Sequence, residues 1–180
     1  MIRLSMPLKI ETERLLLQRL KYEDAEEIFY AYASKPEATR FLSWVTHESV
    51  DETRTYLKFA VESWNFGSDY GYAIRLKNGI LIGSIGLVND DGKVQLGYVI
   101  SPGHWGNGYT TEACRRILSI LRNLPDVYRI GTFVDAENLA SIRVLEKCGL
   151  IEEARLPKWF RFINQDNQPK DCIFFRLTPI

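Results

Sequence analysis

An excess of charge of either sign is missing: 23 lysines and arginines meet 23 aspartates and glutamates, with no like-charge run. A nucleic-acid binder would carry a basic surplus, so that class is set aside and no nucleic-acid partner is expected. Histidine is scarce, with two in 180 residues, and the three cysteines, Cys114, Cys148 and Cys172, lie far apart. The absence of any C-x-x-C or Cys/His ligand spacing argues against structural zinc, and no metal is expected. An odd, scattered set of thiols suits the reducing cytoplasm, the expected location. No apolar run approaches a membrane span, and MIRLSMPLKI is too short and too interrupted for a signal peptide, so no membrane partner is expected. Repeats, low-complexity tracts and linkers are absent as well. Residues 1–180 therefore read as one domain, long enough to bury a sizeable core.

What is present alternates in period. Residues 13–20, ERLLLQRL, read as a strand, and 22–34 as a helix with acids in its first turn, where the dipole favours them. In 49–64, Thr53, Tyr56, Leu57, Ala60, Val61 and Trp64 fall on one helical face. YGYAIRLK and ILIGSIGLV then flank Asn78-Gly79, a hairpin dipeptide, and Asp90-Asp91-Gly92 turns into KVQLGYVIS, 93–101. Three antiparallel strands in mid-chain follow. A helix from about Thr110 to Leu124 buries Ala113, Cys114, Ile117, Leu118 and Leu121. A strand at 128–135 and a helix at 138–149, stopped by Gly149, come next. Two aromatic strands around NQDNQ close the chain. The pattern predicts an α/β fold with a mixed sheet and helices on both faces.

The segment HWGNGYTTEACRRIL, 104–118, places Gly106, Asn107, Gly108, Thr110 and Thr111 at the opening of a helix. Main-chain N–H groups converge there, at the positive end of the helix dipole, and suit a phosphate or pyrophosphate. A plain strand-to-helix turn capped by threonine is the structural alternative. A nucleoside-triphosphate loop is excluded because Tyr109 stands where lysine is needed. A dinucleotide fingerprint, Gly106-x-Gly108 with Asp135 as ribose acid, lacks its third glycine and follows hairpins rather than a tight first turn.

LGYVISPGHWGNGYTTEA followed by NLASIRVLEKCGL resembles the GNAT acetyltransferase superfamily, in its RimJ/RimL-like branch of ribosomal-protein N-acetyltransferases; IETERLLLQRLKYEDAEEIF resembles the branch's opening strand and helix. The resemblance implies a mostly antiparallel sheet splayed at its centre between strands 93–101 and 128–135, with acetyl-CoA as cosubstrate in the opening. It assigns the pyrophosphate loop to Trp105, Gly106, Asn107, Gly108, Tyr109 and Thr110, joined by Thr111. Trp105 and Thr110 depart from the superfamily pattern. Tyr98, Val99 and Ile100 match the segment whose main chain pairs with the pantetheine arm. Asn138 and Ser141 match an Asn-x-x-Ser that bonds the pantetheine amide and lies near the sulfur; capping of the helix is the alternative for both.

The implied reaction is direct attack of an uncharged amine on the thioester. The tyrosine that many superfamily members place near this helix is replaced by Leu145, leaving Ser141 to hydrogen-bond the departing thiolate. The general base is unassigned. Gln95 stands where a carboxylate would be, and Glu112, His104, Glu152, Glu153 and Asp171 each have an ordinary structural explanation. Phe41, Trp44, Trp64 and Trp159 are the aromatics available to line an acceptor site, or else core residues. Arg143 and Lys147 suit the 3′-phosphate of coenzyme A, or a solvated helix face. The resemblance implies an acceptor that is a protein N-terminal amine, possible ribosomal, in a monomer or homodimer. Alternatives are a small amine (amino acid, polyamine or aminoglycoside), a non-catalytic acyl-CoA-binding module, and a nicotinamide-dependent enzyme.

Overall fold

The computed structural model describes residues 2–178. Its centre is an eight-stranded sheet, in the order β1 (Lys9–Glu11), β2 (Leu15–Arg19), β3 (Asp69–Leu76), β4 (Leu81–Asp90), β5 (Lys93–Ile100), β6 (Arg129–Asp135), β8 (Pro169–Leu177) and β7 (Leu150–Arg161). Every neighbouring pair is antiparallel except β5 and β6. The three mid-chain strands lie side by side as the alternation predicts. At the β4–β5 turn, Asp91 and Gly92 both take positive φ (48° and 90°), the primed geometry that matches strand twist.

Helices α1 (Ala25–Ile28), α2 (Pro36–Thr39) and α3 (Val50–Phe66) precede β3, and α4 (Tyr109–Leu121) and α5 (Leu139–Lys147) flank β6. The five apolar residues expected from the α4 pattern are its buried face. Together with α5 that face covers Tyr72, Ile74, Ile85, Leu87 and Leu96 of the sheet. A second cluster, with Ile28, Tyr32, Leu57 and Ala60 packed on Ala73 and Val99, joins α1 and α3 to the sheet.

The helix expected at 22–34 is not regular. A 3-10 turn (Tyr22–Asp24) leads into α1, which widens into a π turn at Phe29–Ala33. Ser34 closes it, donating from N–H (3.1 Å) and Oγ (2.7 Å) to the Phe29 carbonyl. Inside the widened turn Tyr32 is buried and its hydroxyl meets Ser84 Oγ at 2.8 Å. Such π insertions re-aim side chains at functional surfaces, and an amphipathic pattern does not reveal them.

One buried amide ties down the β3 entry. Asn89 donates to the Ile2 carbonyl (2.7 Å) and the Gly67 carbonyl (2.9 Å), and accepts from the Gly92 N–H at 3.0 Å. Replacing Asn89 by alanine strands these main-chain groups in a buried position. The expected loss is about 2–4 kcal/mol of stability in urea unfolding, and a loss below about 0.5 kcal/mol would contradict this role.

Candidate active site

The sheet opens where β5 leaves β6. Only Lys93–Arg129, Val94–Ile130 and Gln95–Gly131 pair, after which β5 continues along β4 to Ile100 while β6 follows β8 to Asp135. Main-chain groups alternate in direction along a strand. The Gly92 carbonyl accepts from Tyr128 on the β6 side at 3.0 Å, whereas Ser101 donates to Ile82 on the β4 side at 2.7 Å. By that alternation Leu96 and Tyr98 turn N–H and C=O to the open edge. Val99 turns its own to β4, and the Ile100 carbonyl already accepts the Trp105 indole N–H at 2.8 Å. Of the three residues expected to face a pantetheine arm by main chain, Val99 is therefore turned to β4, Tyr98 offers both its groups to the opening and Ile100 its N–H alone. Leu96 joins them, missed because strand parity is set by the partner strand.

Tyr98, Asn138, Ser141, Phe41, Phe133 and Phe162 line a cavity of about 150 Å³ in this opening. The Tyr98 phenol crosses to α5 and lies 2.8 Å from Ser141 Oγ. Burial, reinforced by neighbouring Cys114, pushes that phenol well above its ordinary pKa, so it stays protonated. Leu145 is fully buried and brings no hydroxyl from α5. The capping reading of Asn138 holds: its side chain accepts from the Ser141 N–H at 3.2 Å. That bond uses Oδ1 and fixes Ser141 at the helix start. Asp135, the ribose acid of the dinucleotide alternative, is buried, accepting from Glu137 N–H and Gln165 Nε2 at 2.8 Å each.

Before α4, Gly106 and Gly108 adopt φ of 76° and 77°, which L side chains seldom take. Asn107 folds this loop by donating to the His104 and Trp105 carbonyls (3.2 and 3.0 Å), and His104 Nδ1 lies 2.7 Å from Ser101 Oγ. Glu112 ties the loop to the N-terminal hairpin. It accepts from Thr12 Oγ1 (2.6 Å), Arg14 N–H (2.9 Å) and Arg14 Nε (2.6 Å). Partial burial raises its carboxyl, but these bonds outweigh burial and the net shift is downward, so Glu112 is a tether rather than a base. Arg14, which the sequence did not single out, also donates to the Asn107 carbonyl at 3.0 Å and covers the Tyr109 ring at 4.7 Å. A shallow groove of about 820 Å³ runs from here past Gly108, Thr111, Arg115, Arg116 and Lys147. Lys147 lines the same groove as Gly108, while Arg143 lies exposed on α5 outside the groove's lining.

A third hollow, about 260 Å³, lies between the sheet and the α1–α3 side, and shares Gln95, Leu96, Gly97 and Tyr98 with the opening. Trp44 and Tyr56 stack in its wall, with ring centroids 6.4 Å apart, and His47 lies 5.1 Å from Trp44. Of the expected aromatics, Phe41 and Trp44 do line cavities. Trp64 packs edge-on against Tyr70 and Tyr72 in the core, and Trp159 is exposed on β7. Two titratable groups here escaped the sequence. Burial lowers the His47 imidazole, leaving it neutral near pH 7, with Nδ1 2.8 Å from Thr53 Oγ1. Burial raises the Asp69 carboxyl to about 6, against the Tyr70 N–H that pulls it down. Asp69 sits at a strand start and looks like any turn acid in one dimension. The other carboxylates are engaged elsewhere: Glu152 with Arg155, Glu153 with Arg129, and Asp171 with the Lys158 N–H.

Among the described residues no group of three metal-ligating side chains converges, and no helix is long and apolar enough to cross a membrane. The acetyltransferase (GNAT) domain family model matches residues 14–151. The uncharacterized N-acetyltransferase YoaA of Bacillus subtilis is 30% identical over 173 residues, 94% of this chain and 96% of that protein. The fold is shared with the microcin C7 self-immunity acetyltransferase MccE, solved with acetyl-CoA and AMP (TM-score 0.87, 15% identity, 97% and 98% of the two chains). It is shared equally with RimL, the ribosomal L7/L12 α-N-protein acetyltransferase (TM-score 0.83, 16% identity, 97% and 93%). The splayed sheet, the glycine loop and these matches lead to one conclusion: the chain belongs to the GNAT acetyltransferase family.

Proposed function

We propose that this enzyme moves the acetyl group of acetyl-CoA to a primary amine, with the whole chain acting as one catalytic unit in the cytoplasm. The observation that carries the reading is the parting of β5 from β6 after Gln95. It leaves the main chain of Leu96 and Tyr98 without a strand partner and brings Ser141 to the same opening. The free groups suit an extended amide-bearing arm, which would add to the edge as a short strand does. Gly106 and Gly108 support a pyrophosphate at the start of α4, where N–H groups lack helical partners. Arg116 and Lys147 supply positive charge along the groove beyond. Bound there, acetyl-CoA supplies the acetyl group as an activated thioester.

The acceptor enters from the Trp44–Tyr56 side and must lose a proton before it attacks. His47 is the titratable side chain of that cavity able to receive it, directly or through water. In the transfer a C–N bond forms and the C–S bond breaks. Ser141 donates a hydrogen bond to the leaving sulfur, and Tyr98 holds Ser141 in place. The resemblance to the RimJ/RimL-like branch favours a protein N-terminal amine as acceptor. A small amine is the second reading, favoured by the modest size of the cavity and by its carboxylate.

Two substitutions test this assignment. Gly108→Asp should weaken acetyl-CoA binding about ten- to a hundredfold by calorimetry, because it adds like charge at the pyrophosphate position. Gly108 holds φ of 77°, which aspartate takes at a cost of about 1 kcal/mol, so thermal stability should fall only modestly while the fold is kept. Unchanged affinity would place the phosphates elsewhere. Ser141→Ala should lower kcat about tenfold or more with acetyl-CoA affinity nearly unchanged; an unaltered kcat would remove Ser141 from the reaction.

A further inference from the structure

The acceptor cavity has an unusual floor. Asp69, Val88 and Gln95 stand opposite one another across β3, β4 and β5, and the next row on the same face is Gly71, Gly86 and Gly97. A methyl group added at Gly86 or Gly97 would meet no atom within 4 Å, so the hollow exists because these positions carry no side chain. Leu20 covers Gly71, so the bare strip is Gly86 and Gly97, leading from β4 to the free edge of β5, with Asp69 lining the same hollow. Stacked Trp44 and Tyr56 stand over the cavity as an apolar wall.

Asp69 stands in this hollow as a half-buried carboxylate. Among the described residues it forms no ion pair. A buried charge without a partner is costly, and it marks a place where a cation is expected to bind. Yet a nitrogen paired with Asp69 is not in position to attack at the opening. Two strand spacings of about 4.8 Å put the Asp69 and Gln95 Cα atoms roughly 10 Å apart, and the opening lies beyond β5. One nitrogen cannot occupy both places.

We infer that the acceptor is a small amine with two positive centres, an α,ω-diamine, whose remote ammonium pairs with Asp69 while its aliphatic body lies over the Gly86–Gly97 floor and its other nitrogen reaches the β5 edge. This inference rests on the acetyl-transfer reading and takes its second acceptor, the small amine, in place of the protein N-terminus. The hollow has room for about nine waters at the ~30 Å³ each occupies in the liquid, enough for such a chain and too little for a folded protein surface. A chain end with a neutral side chain would leave Asp69 unpaired.

The test compares butylamine and pentylamine with the diamines of the same chain length, in steady-state acetylation by the purified protein and in calorimetry without acetyl-CoA. The diamines should be favoured at least about tenfold in kcat/KM, chiefly through KM. Asp69→Asn should abolish that preference while changing monoamine kinetics less than about twofold. Gly86→Val should block diamine binding with acetyl-CoA affinity intact. The diamine KM should also rise as pH falls through about 6, where Asp69 protonates; Tyr56 and Tyr32 stay neutral there, and the part of the rise due to His47, which gains positive charge as pH falls, should persist in Asp69→Asn. Equal use of monoamines and diamines would overturn the inference, as would equal loss of both in Asp69→Asn. Diamine binding without any acetylation would instead sink the catalytic reading and leave the recognition site standing.

Discussion

The architecture depends on a sheet that is held open. An unpaired strand edge inside a protein exposes N–H and C=O groups that would otherwise close the ladder, and the simplest relief would be for β5 and β6 to keep pairing. Three restraints oppose closure. The β8 ladder holds β6 through Asp135, whose buried carboxylate in turn fixes the start of the α5 segment and the β7–β8 turn. The Trp105 indole occupies the Ile100 carbonyl. Phe41, Phe133 and Phe162 line the space between the strands. The gap is therefore part of the folded state, and the free main-chain groups at its edge are the feature from which the binding of an extended ligand follows.

The same parting separates two kinds of chemistry. Alternation along β5 sends Tyr98 to the α4–α5 side, where it holds Ser141, and leaves Gly97 bare on the α1–α3 side. One strand thus carries a hydroxyl pair on one face and a side-chain-free floor on the other, the places the proposed transfer gives to the leaving sulfur and the incoming amine. The π turn at Phe29–Ala33 serves this second face, because it lets Tyr32 reach Ser84 beside the glycine strip. Charge is divided along the same line: cations gather along the groove beyond Gly108, and a lone carboxylate sits in the acceptor cavity.

Periodicity and turn chemistry carried most of the fold. The α4 face, the mid-chain hairpins and the Gly149 stop were all legible because each rests on local rules. The short β1 and α2 elements were not, since three or four residues hold no period. For the site, local motifs located the loop glycines and the Asn138–Ser141 pair. Long-range pairing hid the rest. Arg14 meets Glu112 across 98 positions, and the row of Gly71, Gly86 and Gly97 exists only once three strands are in register. Asp69 gains its character from burial in a hollow it shares with Trp44, His47 and Tyr56, distant in sequence and brought to it only by the fold.

In the proposed transfer, leucine at position 145 of α5 does not leave the departing sulfur without a phenol nearby. Leu145 fills the helix position with core, while Tyr98 supplies a hydroxyl from the strand, one step removed behind Ser141. Burial keeps Tyr98 protonated, and of the two oxygens its proton can reach, Ser141 Oγ at 2.8 Å and the Ser141 carbonyl at 3.3 Å, it can donate to the nearer. When it does so, the serine's own proton is freed to point into the opening, and a hydroxyl that accepts one hydrogen bond donates a stronger one. A weak acid is thereby strengthened as a donor without being asked to give up its proton. In the proposed transfer that arrangement would suit a departing thiolate, whose developing charge the serine hydroxyl would hydrogen-bond.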